Sequence, residues 1–315
     1  MIVVTGGAGF IGSNLVRGLN IGGRDDIVVV DDLSNGRKFD NLVDCRIDDY
    51  WDQQEFAELL ETGLPFEPSA VFHQGACAVT TEWDGRYMMA TNYRYSVQLL
   101  NYCLQQKIPL IYASSAAVYG ASKVFREHQP SAERPLNVYG YSKLLFDRYV
   151  GNHASNAESQ VAGLRYFNVY GPREAHKDSM ASVAFHLNRQ LLDTGRLKLF
   201  GAHDGYAAGE QRRDFVYVDD VVAVNLWFLE HPGKSGIFNV GTGESASFNE
   251  LAQAVIDWHG RGTIDYIAFP EHLKSSYQSF TQAEVGALRR AGFEAPFRDV
   301  KAGVKAYLDA LRDRP

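Results

Sequence analysis

Tyr139 and Lys143 are the two side chains best spaced to move protons to and from an alcohol. They stand four residues apart on a helical stretch and therefore share a face. An ammonium beside a phenol favours the phenolate. The pair thus predicts a phenol drawn down from a pKa of about 10 toward neutrality, usable for alcohol–ketone interconversion. The chain has 17 tyrosines, so such spacings also arise by chance, and Tyr119 and Lys123 repeat it. There, however, Gly120 and Ala121 follow a strand end and read as loop, so a shared helical face is not expected. Ser114 and Ser115 follow the apolar run Leu110–Tyr112. The carboxyl end of a strand is where doubly wound sheets place their sites, and a hydroxyl there can bond a substrate oxygen.

A second cluster can hold a dinucleotide. Ile2-Val3-Val4-Thr5 runs into Gly6-Gly7-Ala8-Gly9-Phe10-Ile11-Gly12. Both Gly7/Gly9/Gly12 and Gly6/Gly9/Gly12 fit a dinucleotide fingerprint, and the context fits as well. A strand precedes, a helix follows, and Asp31 ends the next strand. Glycines let the backbone approach a pyrophosphate, and the helix start offers free N–H donors. Asp31 predicts a hydrogen bond to the adenosine ribose and favours NAD, whereas Arg37 and Lys38 could pair with a 2′-phosphate.

These residues need a scaffold. Ile2–Val4, Ile27–Val30, Ala70–Phe72, Leu110–Tyr112 and Val161–Phe167 read as buried strands. Between them Phe10–Asn20, Asp52–Leu60, Trp83–Leu104 and Tyr139–His153 carry helical spacing. The alternation predicts an α/β, doubly wound parallel (Rossmann) sheet. After Asn168 come loops rich in Gly, Pro and charge, a helix at Ser182–Leu192 and a strand at Leu197–Phe200. Strands Phe215–Val218 and Ile237–Val240, flanking a helix at Asp219–Leu229, are expected to rejoin the sheet. The tail reads as helical, with one strand near Ile264–Ile267. We expect a dinucleotide domain of residues 1–167 plus about 214–242, and a smaller mixed α/β substrate lobe of about 168–213 and 243–315.

Composition narrows the function. Hydrophobic residues make up 45% and the formal charge is −7 with no basic block, which argues against a nucleic-acid partner. No apolar run is long enough to span a bilayer, and the N-terminus lacks a basic, apolar leader, so we expect no membrane partner and a cytoplasmic location. Cys45, Cys77 and Cys103 have neither disulfide nor zinc-knuckle spacing. The nine histidines show no zinc motif and no GxSxG occurs, so neither a metal site nor a serine hydrolase is expected.

Together these segments resemble the extended short-chain dehydrogenase/reductase family, in its NAD-dependent epimerase/dehydratase division. The resemblance rests on Thr5–Gly12, Ser114-Ser115-Ala116-Ala117-Val118-Tyr119-Gly120, Tyr139/Lys143 and Arg165-Tyr166-Phe167-Asn168-Val169-Tyr170-Gly171-Pro172, and it covers essentially the whole chain. Thr80-Thr81-Glu82-Trp83-Asp84-Gly85, Gly171-Pro172-Arg173-Glu174-Ala175-His176-Lys177 and Met180–His186 are similar to a branch that inverts C6 of an ADP-linked heptose for lipopolysaccharide. The resemblance implies Tyr139, Lys143 and Ser115 as catalytic residues and Lys177 as a second acid/base. It implies NADP as cofactor, held by Gly6, Gly9, Phe10, Ile11, Gly12, Asp31, Asp32, Lys38, Gln53, Gln74, Gly75, Ala76, Cys77, Ala78, Asn92, Lys143, Val169 and Lys177. Gln53 stands where a lysine is usual and Asp32 where an asparagine is usual, and with Asp31 they keep NAD open. The ADP-heptose would meet Asn168, Ser179, His186, Phe200, Gly201, Ala202, His203, Arg213 and Tyr277. A homo-oligomer is implied, with a pentamer as one form.

Rival readings remain on the same fold. A nucleotide-sugar 4,6-dehydratase would carry Asp-Glu after the catalytic hydroxyl, where this chain has Ala116 and Ala117. A hexose 4-epimerase and a non-catalytic NAD(P)-binding regulator are the others.

Overall fold

Alternate residues of the first strand, β1 (Ile2–Thr5), face opposite ways, and the computed structural model gives each face its own layer of helices. It describes residues 1–271, 274 and 277–313. From β1 the chain enters α1 (Phe10–Ile21), β2 (Ile27–Asp31), β3 (Asp49–Asp52), α2 (Gln53–Thr62) and β4 (Ala70–His73). A short α3 (Gly85–Met88) continues through a π-helical turn (Met89–Arg94) into α4 (Tyr95–Gln106), then β5 (Leu110–Ser115), α5 (Val138–His153) and β6 (Val161–Tyr166). All these strands lie in one parallel seven-stranded sheet, ordered β11-β6-β5-β4-β1-β2-β3, where β11 is Gly236–Val240. Ile2 and Val4 pack with Leu15, Val16, Val221 and Phe228 on one face. Val3, Val28 and Val30 pack with Phe56, Leu99, Phe146 and Val150 on the other. The predicted doubly wound architecture is therefore present.

The second lobe begins at β7 (Asn168–Tyr170), followed by α6 (Val183–Thr194), β8 (Arg196–Phe200), β9 (Arg212–Arg213) and β10 (Phe215–Tyr217), after which α7 (Val218–Glu230) returns to pack on the main sheet. After β11 come β12 (Ala246–Ser247), α8 (Phe248–His259), β13 (Thr263–Ile267), α9 (Gly286–Ala291) and α10 (Val300–Arg312). Two expectations need correction here. Phe215–Tyr217 does not rejoin the main sheet but pairs in parallel with Asn168–Tyr170, while Gly236–Val240 does rejoin it. The apolar run Val161–Phe167 breaks after Tyr166, because the Phe167 N–H turns to the Val240 carbonyl (3.0 Å) and Asn168 starts a new ladder. The lobe's core joins Leu187, Leu191, Leu197 and Leu199 to Leu251, Val255, Val304 and Leu308.

Candidate active site

The two lobes face each other across a cleft of about 660 Å³. Next to Phe10 and Ile11 on its wall, the glycine loop makes the cradle a dinucleotide needs. Gly6 adopts φ +68°, and a Cβ there would stand 2.5 Å from the Gly75 amide nitrogen. A Cβ on Gly12 would collide with the Gly6 carbonyl oxygen. A Cβ on Gly7 would stand 2.9 Å from the Val4 carbonyl oxygen, so Gly6, Gly7 and Gly12 all carry a steric demand, and Gly9 is the N-cap of α1, with no side chain satisfying its first amides. The residues fit a dinucleotide.

Around the cradle, Asp31 is already engaged. Its carboxylate accepts the Ala8 N–H (2.8 Å), the Asp32 N–H (2.8 Å) and the Lys38 ammonium (2.9 Å), and Lys38 also donates to the Asp32 carbonyl (2.8 Å). Arg37 and Asp32 are exposed beside it. Gln53 opens α2 one residue after Asp52, which pairs in register with Asp31. On the other side, Gln74, Ala76 and Ala78 line the cleft with Phe10, Ile11 and Val169. Cys77 is held by Asn92, which accepts the Cys77 N–H (2.8 Å) and donates to its carbonyl (2.9 Å). Asn92 is fully buried, so its contact is with this loop rather than with the cleft.

Tyr139, Lys143 and Ser115 all line the cleft. Asn137 caps α5 by accepting the Gly140 N–H (2.8 Å), which places Tyr139 in the first turn and Lys143 one turn on. The expected fall in the phenol's pKa is not found. Burial pushes Tyr139 upward, the Ser115 hydroxyl offsets part of this, and the Lys143 ammonium donates instead to the Ala113 carbonyl (2.9 Å). Burial also lowers Lys143 to about 8, with Asp147 acting the other way. Desolvation outweighs the Ser115 hydrogen bond in this arrangement. The alternative pair is eliminated: Tyr119 is buried and donates to the Asn239 side-chain oxygen (2.8 Å), while Lys123 sits exposed on a loop.

Lys177 reaches the same cleft from the second lobe, on an irregular turn (Ala175–Met180), its ammonium 5.3 Å from the Phe10 ring centre. Burial lowers its pKa and the Glu174 carboxylate raises it. Asn168, Ser179, Phe200, Arg213 and Tyr277 line this half as well. Arg213 is buried over the rings of Tyr277 (4.9 Å) and Phe248 (5.7 Å). The alternative of an ion pair with Asp214 is not seen, since that carboxylate accepts from Thr242, Gly243 and Ala283. His203 stacks on Phe269 (4.0 Å) behind Tyr277. Gly201 donates its N–H to the Ile267 carbonyl (2.8 Å) and Ala202 is exposed. His186 packs edge-on to Phe185. His186, Gly201, Ala202 and His203 are not brought to the cleft wall.

Sequence reasoning missed the residues that brace the site. Asp147 accepts from Ser114 (2.8 Å), Tyr112 (3.0 Å) and Arg165 (2.8 Å), tying α5 to β5 and β6. Its spacing of four from Lys143 was the available signal. Gln211, Gln278 and Thr281 also line the cleft and carried no signal.

A parallel sheet with a glycine cradle at its switch point, facing a second lobe across the cleft, defines a dinucleotide-binding Rossmann fold. Residues 2–241 match the NAD dependent epimerase/dehydratase family, and the chain belongs to it. It is 58% identical over 316 aligned positions, covering 100% of this chain and 98% of the other, to the ADP-L-glycero-D-manno-heptose-6-epimerase of Alkalilimnicola ehrlichii. The Helicobacter pylori ADP-L-glycero-D-manno-heptose-6-epimerase superposes with a TM-score of 0.86 at 33% identity, covering 99% and 96% of the two chains. Thermus thermophilus UDP-glucose 4-epimerase, solved with NAD, superposes at 0.80 with 27% identity, covering 100% and 99%.

Proposed function

We propose that the chain inverts C6 of the heptose in ADP-glycero-manno-heptose, an isomerase reaction that supplies lipopolysaccharide inner-core heptose. The observation that carries this reading is the convergence of two proton-transfer residues, Tyr139 and Lys177, from separate lobes into one cleft, with only methyl groups at Ala116 and Ala117 beside them. A second proton donor suits inversion without a turn of the sugar, because a proton can then be handled on each face of the reacting carbon. The methyls supply no acid for elimination, which disfavours the dehydratase.

A nicotinamide dinucleotide, when bound, supplies reversible two-electron oxidation of the carbinol. We place it on residues 1–167 and about 214–242 and the sugar on 168–213 and 243–315, and we favour NADP, with NAD the alternative raised by Asp31. Tyr139 holds or accepts the hydroxyl proton on one face, and Ser115 bonds the same oxygen. Lys143 sets the phenol's environment. Lys177 holds the proton on the other face. We assign Arg213, buried without a carboxylate partner among the described residues, to the ADP diphosphate, and Tyr277 to flank it. We propose a homo-oligomer, checked by light scattering.

The test is incubation with either C6 epimer of the ADP-heptose and, separately, with a UDP-hexose. The expected result is an equilibrium mixture of the two heptose epimers and no change in the hexose. Binding of dinucleotide without turnover of any sugar would favour the regulator instead.

A further inference from the structure

Lys177 sits on a short turn whose own backbone bonds are local, from the Lys177 N–H to the Glu174 carbonyl (3.0 Å) and from the Ala181 N–H to the Asp178 carbonyl (3.1 Å). Between β7 and α6 the chain puts two non-glycine residues, Arg173 (φ +74°) and Asp178 (φ +46°), in the left-handed region. Such conformations persist only where surrounding contacts dictate them. From within, the buried Glu174 carboxylate accepts the Ser182 hydroxyl (2.8 Å) and the Gly171 N–H (3.3 Å), pinning both ends.

From without, the segment is fastened to the dinucleotide cradle. Asn14, on α1, donates to the Pro172 carbonyl (2.9 Å). The Arg173 guanidinium donates to the Asn41 carbonyl and pairs with Asp44 (2.7 Å). The buried Asn41 amide donates to the Ala8 carbonyl (2.9 Å) and faces Nδ1 of His176 (3.1 Å). The Ala8 carbonyl can only accept, which fixes the Asn41 nitrogen toward it. The contact at His176 then makes Nδ1 the acceptor, in a neutral imidazole. Burial and the nearby Lys38 and Lys177 keep that imidazole uncharged, with Asp31 opposing them. Ala8 is thus gripped on both sides, its N–H by Asp31 and its carbonyl by Asn41.

We propose that Asn41 and His176 are positioning residues for Lys177, linking the glycine-rich loop to the lysine's turn so that dinucleotide seated on that loop fixes where the ammonium sits. The inference rests on the reading of Lys177 given above and adds to it a route by which cofactor occupancy organises the second proton site. Asn41 touches both the cradle and the turn, whereas the His176 side chain meets the cradle only through Asn41, so two variants separate the roles.

The decisive measurement is amide hydrogen exchange over residues 174–181 in the full chain, with and without saturating NADP+, and with NAD+ in a parallel sample. In the parent, dinucleotide should slow exchange there several-fold. In His176→Leu this slowing should vanish while dinucleotide affinity stays within about twofold, and in Asn41→Ala it should vanish while affinity also falls. Epimerisation by His176→Leu should show kcat lowered by about 10- to 100-fold with the sugar KM little changed, as expected for a displaced reacting group. Parent-like slowing in His176→Leu overturns the proposal even if Asn41→Ala loses it, because Asn41 would then serve the cradle alone. A Lys177→Ala variant that epimerises at the parent rate removes the role assigned to Lys177 but leaves the exchange result standing, so the two failures are distinguishable.

Discussion

The two proton-transfer candidates share a cleft but are built in opposite ways. Tyr139 stands in the first turn of a 16-residue helix, capped by Asn137 and braced two turns on by Asp147 against two strands. Lys177 stands on a turn with left-handed residues before and after it, shaped by Glu174 and by contacts to residues 129 and 135 positions earlier in the chain. One site is set by regular structure, which tolerates loss of a single contact. The other is set by a few side-chain bonds, each of which matters more. Removing either group should cost the reaction alike, while removing their supports should not.

The largest effects test the likeness. Tyr139→Phe and Lys177→Ala should each lower kcat by about 10²–10⁴-fold, the range for a positioned acid/base, with dinucleotide release on denaturation unchanged in Tyr139→Phe. Steady-state rates on the ADP-heptose decide it, and whichever variant keeps the parent rate takes its residue out of the chemistry.

The next effect sharpens the contrast through pH. Lys143 titrates near 8 in the folded protein against an ordinary 10.5, so between those values the unfolded chain holds more protons and stability rises with pH. Below pH 8 the buried ammonium is a burden. Lys143→Met should therefore be more stable than the parent at pH 7, by up to about 3 kcal/mol, and the advantage should shrink as pH climbs past 8. Urea unfolding at pH 7 and pH 9.5 measures this. A variant no more stable at pH 7 would mean the Ala113 contact outweighs desolvation.

Legibility in the sequence followed the same divide. The strands buried on both faces read as unbroken β-branched runs, and the helices behind them as apolar faces, so the sheet and the placement of Tyr139, Lys143 and Ser115 were within reach. β3 was not, because Asp49–Asp52 is a polar, partly exposed edge strand without the alternation that marks a half-buried one. β7 was hidden in an apolar run that changes ladders at Phe167. The phenol's environment was misjudged because spacing reports the neighbouring charge but not the depth of burial. Lys177 carried no local signal at all, and only family resemblance pointed to it, since Asn41, Asp44 and Asn14 come from distant segments.

The smallest effects compare the supports directly. Asn137 and Ser182 are both N-caps, accepting the Gly140 N–H (2.8 Å) and the Phe185 N–H (3.1 Å). Replacing either by Ala should destabilise the protein by about 1 kcal/mol, the usual worth of a cap. Their kinetic consequences should diverge. Asn137→Ala leaves Tyr139 held by the rest of α5 and its brace, so kcat should stay within about twofold. Ser182 also donates to Glu174, so Ser182→Ala removes the hydroxyl bond to the carboxylate that shapes the Lys177 turn, leaving its backbone partners, and kcat should fall by several-fold for the same loss of stability. Equal stability losses with equal rates would show that the turn holds its shape without that bond, and the contrast between the two sites would then be one of geometry rather than of robustness.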